Sequence, residues 1–198
     1  MSAKKLSPEI QAIISSVDSG HYSTTVILVK QFLETTPDSQ RALLDLGHAL
    51  AQLARFDEAE TAFTRACEIT PDEPNDVIFG QLGNLFKLQG KLDLAAHWYQ
   101  KQIDADSNDA TGYVFLANLE MRRGNHNVAE KLLLTALHCE SGVREEVHNS
   151  LGLLYRTKQN FRKSKQHFEQ VLESDPKNLI AKQGLEDVKS VLRLLPQD

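Results

Sequence analysis

What most constrains this chain is a small residue set where a helix least benefits from it, at one place in each of several similar stretches. Residues 40–73 read QRALLDLGHALAQLARFDEAETAFTRACEITPDE. Leu43, Leu46 and Leu50 form one apolar stripe at helical spacing. After a short polar turn, Phe56, Ala59, Phe63 and Ala66 form another. Gly47 interrupts the first segment, where glycine costs about 1 kcal/mol against alanine. Pro71 stops the second, because proline cannot continue a helix. Setting Gly83 over Gly47 aligns Phe79 with Leu43, Leu82 with Leu46, Phe86 with Leu50, Ala95 with Ala59 and Tyr99 with Phe63. Ala117 and Gly152 continue the series. Around Ala117 stand Tyr113, Leu116, Ala129, Leu133 and Ala136; around Gly152 stand Leu151, Tyr155, Ser164, Phe168, Val171 and Pro176. Units starting at 6, 40, 76, 110 and 145 give spacings of 34, 36, 34 and 35. A period of this size, with two amphipathic segments in each unit, predicts an all-α array of helix pairs.

Each aligned position has a mechanical role. The small residue lets the first helix of a unit approach the second. Ala59, Ala95, Ala129 and Ser164 face it, and Phe63, Tyr99 and Phe168 fill the space between units. The unit at 6–39 is degenerate, with Ile13 in the small position and Thr25 in the place of Ala59. Ser7–Pro8 is a good helix start, and a helix is expected over 8–18. The β-branched run 24–27 favours a strand locally, but the flanking periodicity makes 22–35 a helix. Two extra residues fall at 72–75 and one near 141–144, where an array can absorb them. In the tail, Ala181, Leu185, Val188, Leu192 and Leu195 share a face opposite Lys182, Glu186, Lys189 and Arg193. That is the form of a terminal capping helix over 179–195. Residues 1–5 are expected to fray. The whole of 1–198 therefore reads as a single array.

The same sequence excludes several function classes. A net charge of −5 and a pI near 5.8 argue against a general nucleic-acid binder, which needs a Lys/Arg excess. Cys67 and Cys139 make no disulfide framework, and both are expected late in second helices as buried, inert thiols. The seven histidines are scattered, so no metal site is expected. No phosphate loop, His-Glu-x-x-His, Cys-x-x-Cys or nucleophile elbow occurs, so neither cofactor nor catalysis is expected. No apolar leader follows the first basic residues, and the apolar run 26–29 is far too short to span a bilayer. The expected location is the cytoplasm.

At these residues the chain resembles the tetratricopeptide repeat family, whose 34-residue signature asks for large, Leu-Gly, Tyr-like, Ala, Phe, Ala and Pro residues at fixed offsets. Residues 40–73 fit throughout. Residues 76–109 depart at Gln102 and Ser107, residues 110–143 at Glu120 and Ser141, and residues 145–178 carry His148 and Val171. The resemblance implies a right-handed α-solenoid, with the first helices lining a concave groove that holds an extended peptide or a partner protein. The family's groove positions fall here on Arg41, Leu44 and His48, on Val77, Asn84 and Lys87, on Thr111, Val114, Asn118 and Arg122, and on Glu146, Asn149, Leu153 and Arg156.

Two features of that set suggest a ligand. His48, Asn84 and Asn118 take the same place in successive units, and a carboxamide can pair with a peptide backbone. The same side chains can instead bond neighbouring helices or water. Arg41, Lys87, Arg122 and Arg156 give the groove a basic cast within an acidic chain, which suits an acidic ligand or a C-terminal carboxylate. The clamp by which some family members hold acidic chaperone tails is absent: its places carry Leu44 and His48, then Gln81, then Thr111 and Phe115. The reading is a non-enzymatic adaptor. Alternatives are a structural subunit or homo-oligomer assembled through Ile180, Val191 and Leu194 of the cap helix, or an accessory chaperone of a secretion or enzyme complex.

Overall fold

The computed structural model describes residues 7–71, 73 and 75–195. The expected fraying at 1–5, and Asp72 and Pro74 of the insertion at 72–75, lie outside the described residues. Eleven helices account for the regular structure among those residues: α1 (Pro8–Asp18), α2 (Tyr22–Thr35), α3 (Gln40–Gln52), α4 (Phe56–Ile69), α5 (Asp76–Leu88), α6 (Leu92–Ala105), α7 (Ala110–Arg122), α8 (His126–Ala136), α9 (Arg144–Thr157), α10 (Phe161–Ser174) and α11 (Leu179–Leu194). The chain divides into two compact units, Met1–Ala105 with α1 to α6 and Asp106–Asp198 with α7 to α11. Within each unit, helices consecutive in the chain pack on one another.

The helix starts follow local chemistry. Ser7 caps α1 by accepting from the Ile10 amide at 3.4 Å, with Pro8 in the first turn. Residues 22–35 are helical despite the β-branched run, because Val26 and Val29 point into the core, 5% and 0% exposed. The second helices stop two residues short of Pro37, Pro71 and Pro176. α6 stops at the same place before Ser107, so proline is not required there.

The small residues do what their spacing implies. A Cβ added to Gly47 would lie 2.5 Å from Phe63 Cε1; at Gly83 it would meet Tyr99 at 2.3 Å, and at Gly152 Phe168 at 2.6 Å. Ala117 faces a leucine in that role, Leu133, and both are wholly buried. At Ile13 the partner position carries Val29, so the degenerate unit has moved bulk from one helix to the other. Close packing fixes the summed volume at such a contact and leaves its division between the two helices open. Gln102 follows the same logic. It occupies an alanine position but lies over Gly80, where an added Cβ would come within 2.8 Å of its Oε1. Polar substitutes for the facing alanines are hydrogen-bonded: Ser164 Oγ donates to the Gly152 carbonyl at 2.7 Å, and Thr25 Oγ1 lies 2.9 Å from Ser16 Oγ. Phe168 is held from two sides, since a Cβ at Gly184 of α11 would also approach it within 2.4 Å. Ala181, Leu185 and Val188 complete that seat, so α11 covers the last helix pair.

One expectation is corrected. Cys139 does not lie late in a second helix, because α8 ends at Ala136. The chain then turns back, and Ser141 forms a parallel bridge with Asp109. The Ala110 amide donates to the Ser141 carbonyl at 3.0 Å, which diverts the backbone from the helix. Gly142, at φ +101, lies against Ala110 there. Both cysteines are free and half-buried. Burial pushes both thiols up, reinforced at Cys139 by Asp109 and Asp106.

Candidate binding surface

In the first unit, α3 and α5 stand side by side and leave a cleft of about 230 Å³. His48, Ala51 and Gln52 line one wall, and Gln81, Asn84, Leu85, Lys87 and Leu88 the other, with Phe63 between. Three expected residues, His48, Asn84 and Lys87, thus share one concavity. Asn84 Oδ1 accepts from Tyr99 Oη and from Lys87 Nζ, each at 2.9 Å. With both lone pairs used, its Nδ2 has no partner among the described residues. Burial pushes the Tyr99 phenol well above its ordinary value, so it stays a donor and holds the carboxamide in place. His48 packs edge-on against Tyr22 of α2, ring centroids 5.9 Å apart. Leu88 and Val77 are 54% and 56% exposed, apolar surface that nothing in the first unit covers. Arg41 is exposed but spans both oxygens of Asp45 at 3.1 Å, so its charge is neutralised. Leu44 is half-buried.

In the second unit, Asn118 Oδ1 accepts from Ser150 Oγ at 3.0 Å, joining α7 to α9. Arg122 is exposed, with no carboxylate partner among the described residues. Arg156 pairs with Asp187 of α11 at 3.2 Å. Thr111 is half-buried and Glu146 exposed. Asn149, at 8% exposure, faces Asn178, the N-cap of α11, and its own Oδ1 has no partner among the described residues. Leu153 packs partly buried against the α10–α11 core. Val114 is buried, 2% exposed, because its position meets α9 rather than solvent.

Sequence spacing does not reveal a polar chain across α8, α9 and α10. Tyr155 Oη donates to Glu130 Oε1 at 2.8 Å, Lys158 also bonds Glu130, and Lys163 Nζ lies 4.9 Å from the Tyr155 ring centre. The Lys158 hydrogen bond, then that of Tyr155, holds the Glu130 carboxyl below its usual range. The His167 ring stacks on Tyr155 at 5.5 Å. The 34-residue pattern signals only Tyr155, because Glu130, Lys158, Lys163 and His167 hold positions that the pattern leaves free. Among the described residues no three His, Cys, Asp or Glu side chains converge to hold a metal, and no helix is long and apolar enough to cross a membrane.

Comparison with known proteins agrees with this architecture. Residues 19–74 and 145–178 each match the tetratricopeptide repeat. No curated protein sequence matches the chain. A chain of the APC/C hetero-tetramer Cut9–Hcn1 is similar in structure at TM-score 0.74 and 18% identity, and this chain spans 91% of its own length but 35% of that one's. TTC0263, a thermophilic tetratricopeptide repeat protein of Thermus thermophilus, is similar at TM-score 0.69 and 17% identity, over 91% of this chain and 96% of that one. The first such domain of Spaghetti (RPAP3), bound to the HSP90 peptide SRMEEVD, is similar at TM-score 0.56 and 26% identity, over 62% of this chain and 96% of that one. With the glycine–aromatic contacts at the positions the repeat demands, two matching segments and these helical-repeat neighbours, the chain is an all-α solenoid protein of the tetratricopeptide repeat family.

Proposed function

We propose that the protein is a non-enzymatic adaptor that holds an extended segment of a partner protein along its first helices. The observation that carries this is the α3–α5 cleft, where His48, Gln52, Gln81 and Asn84 present hydrogen-bonding groups beside exposed Leu88. Carboxamides and an imidazole pair with a peptide backbone, and Leu88 and Val77 give its side chains apolar surface. Tetratricopeptide scaffolds in general bind proteins and catalyse nothing, and the RPAP3 domain above holds a peptide. An acidic ligand is supported only by Arg122, since Arg41 and Arg156 already have carboxylate partners and Lys87 is engaged with Asn84.

The test is charge reversal in the full chain. Arg122→Glu with Arg156→Glu weakens capture of the partner at least about tenfold at low salt, while the thermal midpoint hardly moves, because exposed ion pairs contribute about 0–1 kcal/mol. Undiminished capture sinks the acidic-ligand reading, and a missing crosslink at Gln52 sinks the groove reading. A photo-crosslinker at Gln52 joins the partner, whereas one at Glu68, on the exposed side of α4, does not. A second reading is assembly through the cap helix, favoured by Ile180 and Leu194, 54% and 86% exposed on α11. Light scattering over a wide concentration range decides it, since a constant monomer mass removes that reading.

A further inference from the structure

His148 and His167 are the closest pair of titratable side chains of one kind in the second unit's helix contacts. His148 lies on α9 and His167 on α10, with Nδ1 to Nδ1 at 3.0 Å and ring centroids 5.2 Å apart. One imidazole donates and the other accepts, so the contact requires at least one neutral ring. A second proton would set two N–H groups and two positive charges against each other. The rings cannot easily separate, because His167 stacks on Tyr155 at an interplanar angle of 9°, and the Tyr155 hydroxyl is tied to Glu130 of α8. Immediately next to His167 along α10 is Phe168, the ring wedged between Gly152 of α9 and Gly184 of α11. The pair therefore lies beside the contact on which the cap helix is seated.

We infer that the His148–His167 pair is a proton-sensitive latch, which holds α9, α10 and α11 together at neutral pH and loosens them in acid. The surrounding charges bear on this from each packed element. On α9, Arg144 opposes a proton on His148 and Glu145 favours it. On α10, Lys163 opposes a proton on His167, and Glu173 shares the cleft beside His148 with Arg144 and Glu145. From α8, Glu130 is already engaged by Lys158 and Tyr155. From α11, Asp187 is engaged by Arg156, and α7 offers the neutral Asn118 to Ser150. The anions in contact with α9 are thus largely committed elsewhere.

Burial pushes both imidazoles down from 6.5, aided at His148 by Arg144 and at His167, which falls to about 4, by His148 and Lys163. The folded chain then binds fewer protons than the unfolded chain across that window. The latch's contribution is complete above about pH 6.5, is lost as the pH falls toward about 4, and changes no further below that. It operates whatever occupies the first-helix surface.

Two measurements on the full chain test it. A proton NMR titration of the imidazole C2 protons shows His167 titrating well below 6.5 and in steps coupled to His148. Independent titration of both rings near 6.5 overturns the latch. In urea, the wild-type midpoint falls between about pH 7.5 and about pH 5, and His167→Gln, which can still bond His148 but cannot charge, removes about half of that fall or more. A fall as large as the wild type's in both His167→Gln and His148→Gln also overturns it. The second variant and the titration of the unaltered chain stand if His167→Gln does not fold.

Discussion

Five single residues bend this chain from first helix to second helix, and they do not share a side chain. Gly20, Ala54, Gly90, Gly124 and Gln159 all hold positive φ, at 68°, 57°, 74°, 82° and 57°. An L-residue with a Cβ adopts this region at a cost of about 1–2 kcal/mol, and glycine adopts it freely. Ala54 and Gln159 therefore carry strain that their counterparts avoid. Gln159→Gly is expected to raise stability by up to about 1 kcal/mol, the gain being reduced by the extra freedom of glycine in the unfolded chain. Gly124→Ala is expected to lower it by about 1 kcal/mol, and because nothing lies within 4 Å of an added Cβ there, that cost is backbone alone. Thermal unfolding of the two variants, run side by side, shows shifts of opposite sign. Equal shifts would mean that the turns relax. The three glycines are visible in the sequence, but Ala54 and Gln159 are not, since only the backbone records their conformation.

At the scale of helix pairs, the contact between first and second helix is a shared volume that each pair divides in its own way. Gly47 against Phe63, Ala117 against Leu133 and Ile13 against Val29 are three divisions of it, all buried. Gly47→Ile alone is expected to destabilise by about 1–3 kcal/mol or more through overpacking, and Phe63→Val by about 2–4 kcal/mol through the void it leaves. The double variant reproduces the Ile13–Val29 division and costs less than the sum by about 0.5–3 kcal/mol. Urea midpoints of the four chains give the coupling, and strict additivity would mean that the two positions do not share the space. This level of the fold was the most legible in sequence, because one costly glycine per unit has few explanations apart from close approach. The departures were legible only as departures. Gln102 becomes intelligible once Gly80 is seen beneath it, and the short α8 once Ser141 is seen bonded across to Asp109 and Ala110.

For the whole molecule, the sign of the charge is a poor guide to what binds. The chain is acidic, with a net charge of −5, and the sequence suggested four cations facing a ligand. The structure spends three of them internally, Arg41 on Asp45, Lys87 on Asn84 and Arg156 on Asp187. Partner affinity is accordingly expected to fall by less than about tenfold between low salt and physiological salt, because these engaged cations leave little net attraction for salt to screen. A steep loss, measured by titrating the partner at several salt concentrations, would restore the electrostatic groove. The candidate residues themselves were legible as positions, since helix periodicity says which side chains share a face. Their hydrogen bonds were not, because Asn84 with Tyr99, and Asn118 with Ser150, are set by how neighbouring helices rotate. The histidine latch was invisible for the same reason: its two rings are nineteen positions apart on different helices.

The Asp109–Ser141 bridge has one more consequence, for anyone who would cut or extend this chain. The non-helical stretch after α8 is exposed at Glu140, Ser141 and Gly142 and looks like a natural place for a protease to nick or for a peptide to be grafted. Proteases bind an extended strand with free backbone groups, and Ser141 gives its carbonyl to Ala110 and its amide to Asn108. This connection is closed to both uses unless the entrance of α7 opens with it.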